Sequence, residues 1–145
     1  MSVETHKYEV RVDWTHDRVG ELLLEGKPRL QVATPPEFEG GVPGIHSPED
    51  LFVASAAACM MTTFVAFSKK SRLEFLAFRC EGVGTLQKLE KGFEFTRIVL
   101  RSTVEVSSEE LVSKAERALE LAGKYCLVSN SMKCQVVHEN FVKVR

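Results

Sequence analysis

A chain of 145 residues, 44% hydrophobic and 27% charged, has the composition of a soluble domain with one core, and residues 1–145 are expected to form a single domain. Its net charge of −1 gives no electrostatic reason to expect nucleic acid or an anionic membrane as a partner. The opening MSVETHKYEV lacks the apolar stretch of a signal peptide, so a cytoplasmic, reducing setting is expected, where a structural disulfide framework is out of place.

From the N-terminus, Tyr8, Val10, Val12 and Trp14 alternate with polar residues and predict a half-buried strand, turning at His16 to Gly20. Glu21 to Leu24 and Arg29 to Thr34 read as the second and third strands. Pro35 to His46, with three prolines and three glycines, is an irregular loop. Ser47-Pro48-Glu49-Asp50 is a helix start: Ser47 suits the N-cap, Pro48 the first helical position, and the two acids oppose the positive helix end. The helix runs to about Lys70. From Leu51 to Phe67 it is apolar nearly all round, which predicts burial on every side. A chain this short struggles to wrap such a helix alone, so a second subunit is expected to help cover it. The stretch sits at the lower length limit for a membrane span and is rich in alanine, so a core helix is the better reading.

Phe75 to Leu86 and Phe93 to Val106 predict two strands joined by Gln87 to Gly92. Gly82 and Gly84 weaken the first of them and suggest that something approaches its backbone closely. Ser107 and Glu110 suit a capping box for a second helix, whose apolar face runs through Leu111, Val112, Ala115, Ala118, Leu119 and Ala122 and which Gly123 should end. A further turn is expected over Leu127 to Met132, and a last strand over Cys134 to Val144.

The four cysteines, Cys59, Cys80, Cys126 and Cys134, show no C-x-x-C pair and no zinc spacing, and His6, His16, His46 and His138 are scattered. No metal site is expected. Cys80 and Cys134 lie on strand patterns and read as packing residues, with a third redox thiol as the sharper alternative. Cys59 lies mid-helix. Cys126 lies where one helix stops and a turn begins, a position that favours thiolate.

The segment Ser47-Pro48-Glu49-Asp50-Leu51-Phe52, with Cys59 ten residues after the glutamate, resembles the first signature of the OsmC/Ohr family of thiol peroxidases. Cys126-Leu127-Val128-Ser129-Asn130 resembles the second, Cys-Pro-x-Ser-x, with leucine in place of proline. The order of elements matches over nearly the whole chain. The resemblance implies an α+β fold, β-β-β-α-β-β-α-β, as an intertwined homodimer in which strands of both subunits wrap two central buried helices. It implies that Cys59 is the peroxidatic thiolate and Cys126 the resolving thiol. It also implies that Arg18 polarises the peroxide and that Glu49 holds the arginine, with Arg29 as a second candidate for that arginine. It implies hydroperoxide as substrate, an external dithiol of dihydrolipoyl type as reductant, and no metal, haem or flavin.

Glu49 and Cys59 on one unbroken helix stand about 15 Å apart along the axis and about 80° around it. They cannot share a site within one chain, so a Glu49 that serves Cys59 comes from the partner subunit. Two rivals carry different expectations. A non-catalytic protein of the same fold would bind an apolar or thiol ligand or sense oxidants; Leu127 and the geometry of Cys126 discriminate, because turnover is disfavoured if Cys59 and Cys126 cannot approach disulfide distance. A hot-dog thioesterase would place a carboxylate near the middle of the long helix, and none is present between Leu51 and Lys70.

Overall fold

A computed structural model describes residues 3–145. They form two compact units, the first ending at Leu51 and the second spanning Phe52–Arg145.

In the first unit β1 (Arg11–His16), β2 (Val19–Leu23) and β3 (Leu30–Ala33) form an antiparallel sheet in that order. Asp17, at φ 48°, makes the tight corner between β1 and β2. The loop after β3 is tied back on itself: the Ala33 N–H donates to the His46 carbonyl (3.0 Å) and the Val42 N–H to that of Thr34 (2.9 Å). The strand expected from Tyr8 begins only at Arg11, and its apolar residues are not half-buried. Tyr8, Val10, Val12 and Trp14 are 58–88% exposed, and β1 is the edge strand of its sheet.

Helix α1 (Pro48–Lys70) has the expected bounds and no break. Its cap is a reciprocal box: Ser47 Oγ accepts the Asp50 N–H and Asp50 Oδ2 accepts the Ser47 N–H, both at 3.0 Å. Burial is one-sided rather than complete. Ala56, Cys59, Met60, Phe64 and Ser68 are buried, whereas Ala54, Ser55, Ala58, Met61, Thr62 and Ala66 form an exposed stripe. The apolar pattern thus exceeds what the described residues cover.

In the second unit β4 (Ala77–Leu89) pairs antiparallel with β5 (Gly92–Val106), and β5 pairs in parallel with β6 (Gln135–Val144). Parallel neighbours require a crossover. It is supplied by α2 (Val112–Tyr125) and the single turn α3 (Leu127–Asn130). Strand β5 turns Ile98, Leu100, Ser102, Val104 and Val106 inward, all fully buried, against Met60 and Phe64 of α1 and Ala115, Leu119 and Ala122 of α2. Phe64 lies 5.0 Å, ring to ring, from both Phe75 and Phe78. Gly82 and Gly84 do mark a close approach, and the visitor is α1: a Cβ on Gly84 would stand 2.5 Å from Val53, and one on Gly82 3.1 Å from it.

Three local readings are corrected. The β4–β5 turn is only Glu90-Lys91, with β4 running on to Leu89 and Gly92 at φ 132°. The Ser107–Glu110 box does not form: a 3-10 turn at Glu109–Leu111 precedes α2, and its cap Ser108 makes no side-chain bond. Gly123 does not end α2, which continues to Tyr125. The missing side chain instead admits the His138 ring of β6, whose carbons and Nε2 would lie 3.1–3.3 Å from a Cβ there. Burial pushes the His138 imidazole down from its ordinary value, and its Nδ1 has no hydrogen-bond partner.

Candidate active site

Cys59 lies on the buried stripe of α1. Two turns further on, Phe67 meets Tyr125 with ring centroids 5.8 Å apart, which brings the end of α2 against α1. The chain then leaves the helix at Cys126 (φ −66°, ψ 104°) and begins α3. This bend delivers the fully buried Cys126 to within hydrogen-bonding reach of Cys59. The two thiols expected to work together do meet, although 67 positions separate them in sequence.

Their environments differ in sign. Burial pushes the Cys59 thiol up, but four donors outweigh it: the Val128 N–H, the Cys126 thiol, the Thr63 hydroxyl at 3.7 Å and the Leu127 N–H. The net effect holds Cys59 below the ordinary thiol value. Burial raises Cys126, and proximity to Cys59 raises it further. The Ser129 hydroxyl, donating at 3.3 Å, and the Ser129 N–H offset this only in part. The pair is therefore polarised, with Cys59 the more readily ionised thiol and Cys126 the less readily ionised one. That arrangement suits a nucleophile beside a thiol that reacts second.

Cys80 packs against the core from β4, opposite Ser102. Burial pushes its thiol up, and Ser102 offsets the rise only in part. Cys134 also packs against the core. All four cysteines are free thiols.

Arg18 and Glu49 both belong to the first unit and do not pair. None of the ion pairs among the described residues includes either of them. Arg18 is exposed in the β1–β2 turn. Its carbonyl accepts the Thr34 N–H (3.3 Å) and its side chain lies across Gly40, where a Cβ would stand 3.2 Å from Cγ and Nε. Arg29 pairs with Glu21 at 3.6 Å, which leaves Arg18 the less committed guanidinium. Glu49 has one buried carboxylate oxygen with no partner.

The seat under Arg18 gives a prediction. Gly40 (φ +76°) and Gly44 (φ +81°) share a backbone conformation that costs an alanine about 1–2 kcal/mol, but only Gly40 touches Arg18, and Gly44 has nothing within 4 Å. Gly40→Ala is expected to accelerate phenylglyoxal modification of Arg18, followed by peptide mass mapping, and Gly44→Ala to leave it unchanged. Equal rates in both variants would show that Gly40 does not seat the arginine.

A family model for OsmC-like proteins matches residues 41–139. The chain belongs to the OsmC-like family. Its fold superposes on an OsmC-like protein of unknown function from Vibrio cholerae at a TM-score of 0.83 and 24% identity, covering 94% of this chain and 99% of that one. An organic hydroperoxide resistance protein OsmC from Legionella pneumophila matches at 0.74 and 24% identity, covering 97% and 100%. An uncharacterized Bacillus subtilis protein, YmaD, is 23% identical over 135 residues, covering 90% of this chain and 89% of that one. The α+β OsmC-like fold expected from the order of elements is thereby established.

Sequence reasoning missed Thr63 and the Leu127 and Val128 amides as partners of Cys59. Thr63 stood four residues after a cysteine on a helix, which is contact spacing. The amides left no signal, because every residue but proline has one.

Proposed function

We propose that this OsmC-like protein is a thiol peroxidase that reduces organic hydroperoxides. The observation that carries the reading is the polarised Cys59–Cys126 pair: a buried thiol held below its ordinary value by the donors around it, beside a second thiol held above its own. The Cys59 thiolate attacks the peroxide, the O–O bond breaks, and one proton completes ROH, leaving Cys59 as sulfenic acid. The Cys126 thiol then displaces water from that sulfur and forms the disulfide. An external dithiol, of dihydrolipoyl type, reduces it. The sum is ROOH plus a dithiol giving ROH, water and a disulfide, with no metal, haem or flavin taking part.

Arg18 is assigned to polarise the peroxide, and Glu49 of the partner subunit to hold it. The partner is inferred from surface left uncovered: the apolar face of β1 and the exposed apolar stripe Ala54, Ala58, Met61 and Ala66 of α1 suit an intertwined homodimer. An unpartnered, buried Glu49 oxygen is what such an arrangement would complete. Apolar surroundings favour alkyl or fatty hydroperoxides over hydrogen peroxide, and the cytoplasm is the expected setting. Separated thiols would have spoken against turnover, and the proximity of Cys59 and Cys126 supports it.

The test is steady-state consumption of cumene hydroperoxide with dihydrolipoamide as reductant. Many equivalents consumed per subunit, by a species of twice the 16.3 kDa chain mass in light scattering, is the expected result. No consumption beyond the protein-free control would refute the reading.

A further inference from the structure

A threonine inside a helix ordinarily turns its hydroxyl back to the carbonyl three or four residues earlier. Helix α1 carries two adjacent threonines that divide this role unequally. Thr62 Oγ1 donates to the Cys59 carbonyl at 3.1 Å. Thr63, for which the Cys59 carbonyl is the four-back acceptor, directs its hydroxyl at the Cys59 sulfur, 3.7 Å away. Its side chain is half-buried, which shelters the contact from competing water.

We propose that the Thr63 hydroxyl is a built-in donor that keeps Cys59 in its reactive, deprotonated form, while Thr62 occupies the carbonyl that would otherwise draw a hydroxyl away. Thr63 approaches the sulfur from Cys59's own helix, one turn on. The Leu127 and Val128 amides and the Cys126 thiol come from the crossover connection. The sulfur is thus gripped by two elements, and Thr63 is the donor that stays on the same rigid helix as the nucleophile. When the sulfur passes into a disulfide it loses its charge and becomes a poorer acceptor, so the same bond favours the reduced pair. The catalytic meaning of this role rests on the peroxidase reading, but its test does not.

The experiment is the pH dependence of Cys59 alkylation by iodoacetamide in the full-length reduced protein, read on the Cys59 peptide by mass spectrometry. Thr63→Val keeps the branched shape and removes the hydroxyl; Thr63→Ser keeps the hydroxyl. Thr63→Val is expected to lower alkylation on the acid limb roughly three- to tenfold and to move its midpoint up, the effect of losing one hydrogen bond. It should also make the disulfide harder to reduce in a dithiothreitol redox buffer by a similar factor. Thr63→Ser is expected to retain most of the parent's acid-limb reactivity. A Thr63→Val profile that overlaps the parent, or valine and serine variants displaced alike, would overturn the proposal. A protein that titrates as expected yet consumes no hydroperoxide would leave the Thr63 role standing and remove the peroxidase reading.

Discussion

Cys59→Ser is expected to reduce hydroperoxide consumption to the protein-free background, whereas Cys126→Ser is expected to consume one equivalent per subunit and then stall. A serine hydroxyl at position 59 stays protonated at neutral pH even among the donors that surround it, so no nucleophile forms. In Cys126→Ser the first step survives, because serine still offers Cys59 an O–H donor where cysteine offered an S–H. The second step is lost, because no thiol is left within reach to displace water from the sulfenic acid. That variant should therefore be trapped by dimedone at Cys59. A Cys126→Ser protein that turns over like its parent would mean that another thiol resolves the sulfenate, and Cys80, within electrostatic range of Cys126, would be the candidate.

The second large effect is expected from Leu127→Pro. The Leu127 N–H is one of the donors that lower Cys59, and proline has none. The substitution is otherwise well tolerated by the backbone. Position 127 is the first residue of α3, where proline fits, and Cys126 before it already has the extended conformation that a following proline demands. The leucine side chain is 70% exposed, so little packing is lost. The sign follows from the direction of the native effect. Cys59 is held below its ordinary value, so its reactivity is present above the lowered midpoint and lost as pH falls through it. In Leu127→Pro that loss should set in at higher pH, leaving Cys59 several-fold less reactive on the acid limb, about the effect of losing one hydrogen bond. Leu127→Ala, which keeps the N–H, should titrate like the parent. Equal displacement in both variants would place the effect in the side chain instead.

Features set by neighbours in sequence were legible. The Ser47–Asp50 segment, the bounds of α1, and the close approach at Gly82 and Gly84 follow from capping chemistry, apolar periodicity and the absence of Cβ atoms. Features set by distant partners were not. Gly123 carries the signal of a helix end, but the His138 ring from β6 gives that glycine its purpose. The alternation in Tyr8–Trp14 predicts a half-buried strand, yet all four apolar residues stand exposed.

At the site the same division holds. Cys59 was marked by helix start and spacing. Its meeting with Cys126 depends on a crossover helix, a Phe67–Tyr125 contact and a sharp exit at Cys126, none of which spacing can reveal. The different ionisation of the two thiols depends on where Leu127, Val128, Thr63 and Ser129 point their donors. Direction of that kind appears only once the chain is folded.

The most direct test of the central claim is peptide mass mapping of the fully reduced protein after one equivalent of cumene hydroperoxide. The polarised pair predicts one disulfide, Cys59–Cys126, formed in step with the loss of one equivalent of peroxide, with Cys80 and Cys134 still reduced. Peroxide consumed while Cys59 remains a free thiol, or a first disulfide that excludes Cys59, would contradict it.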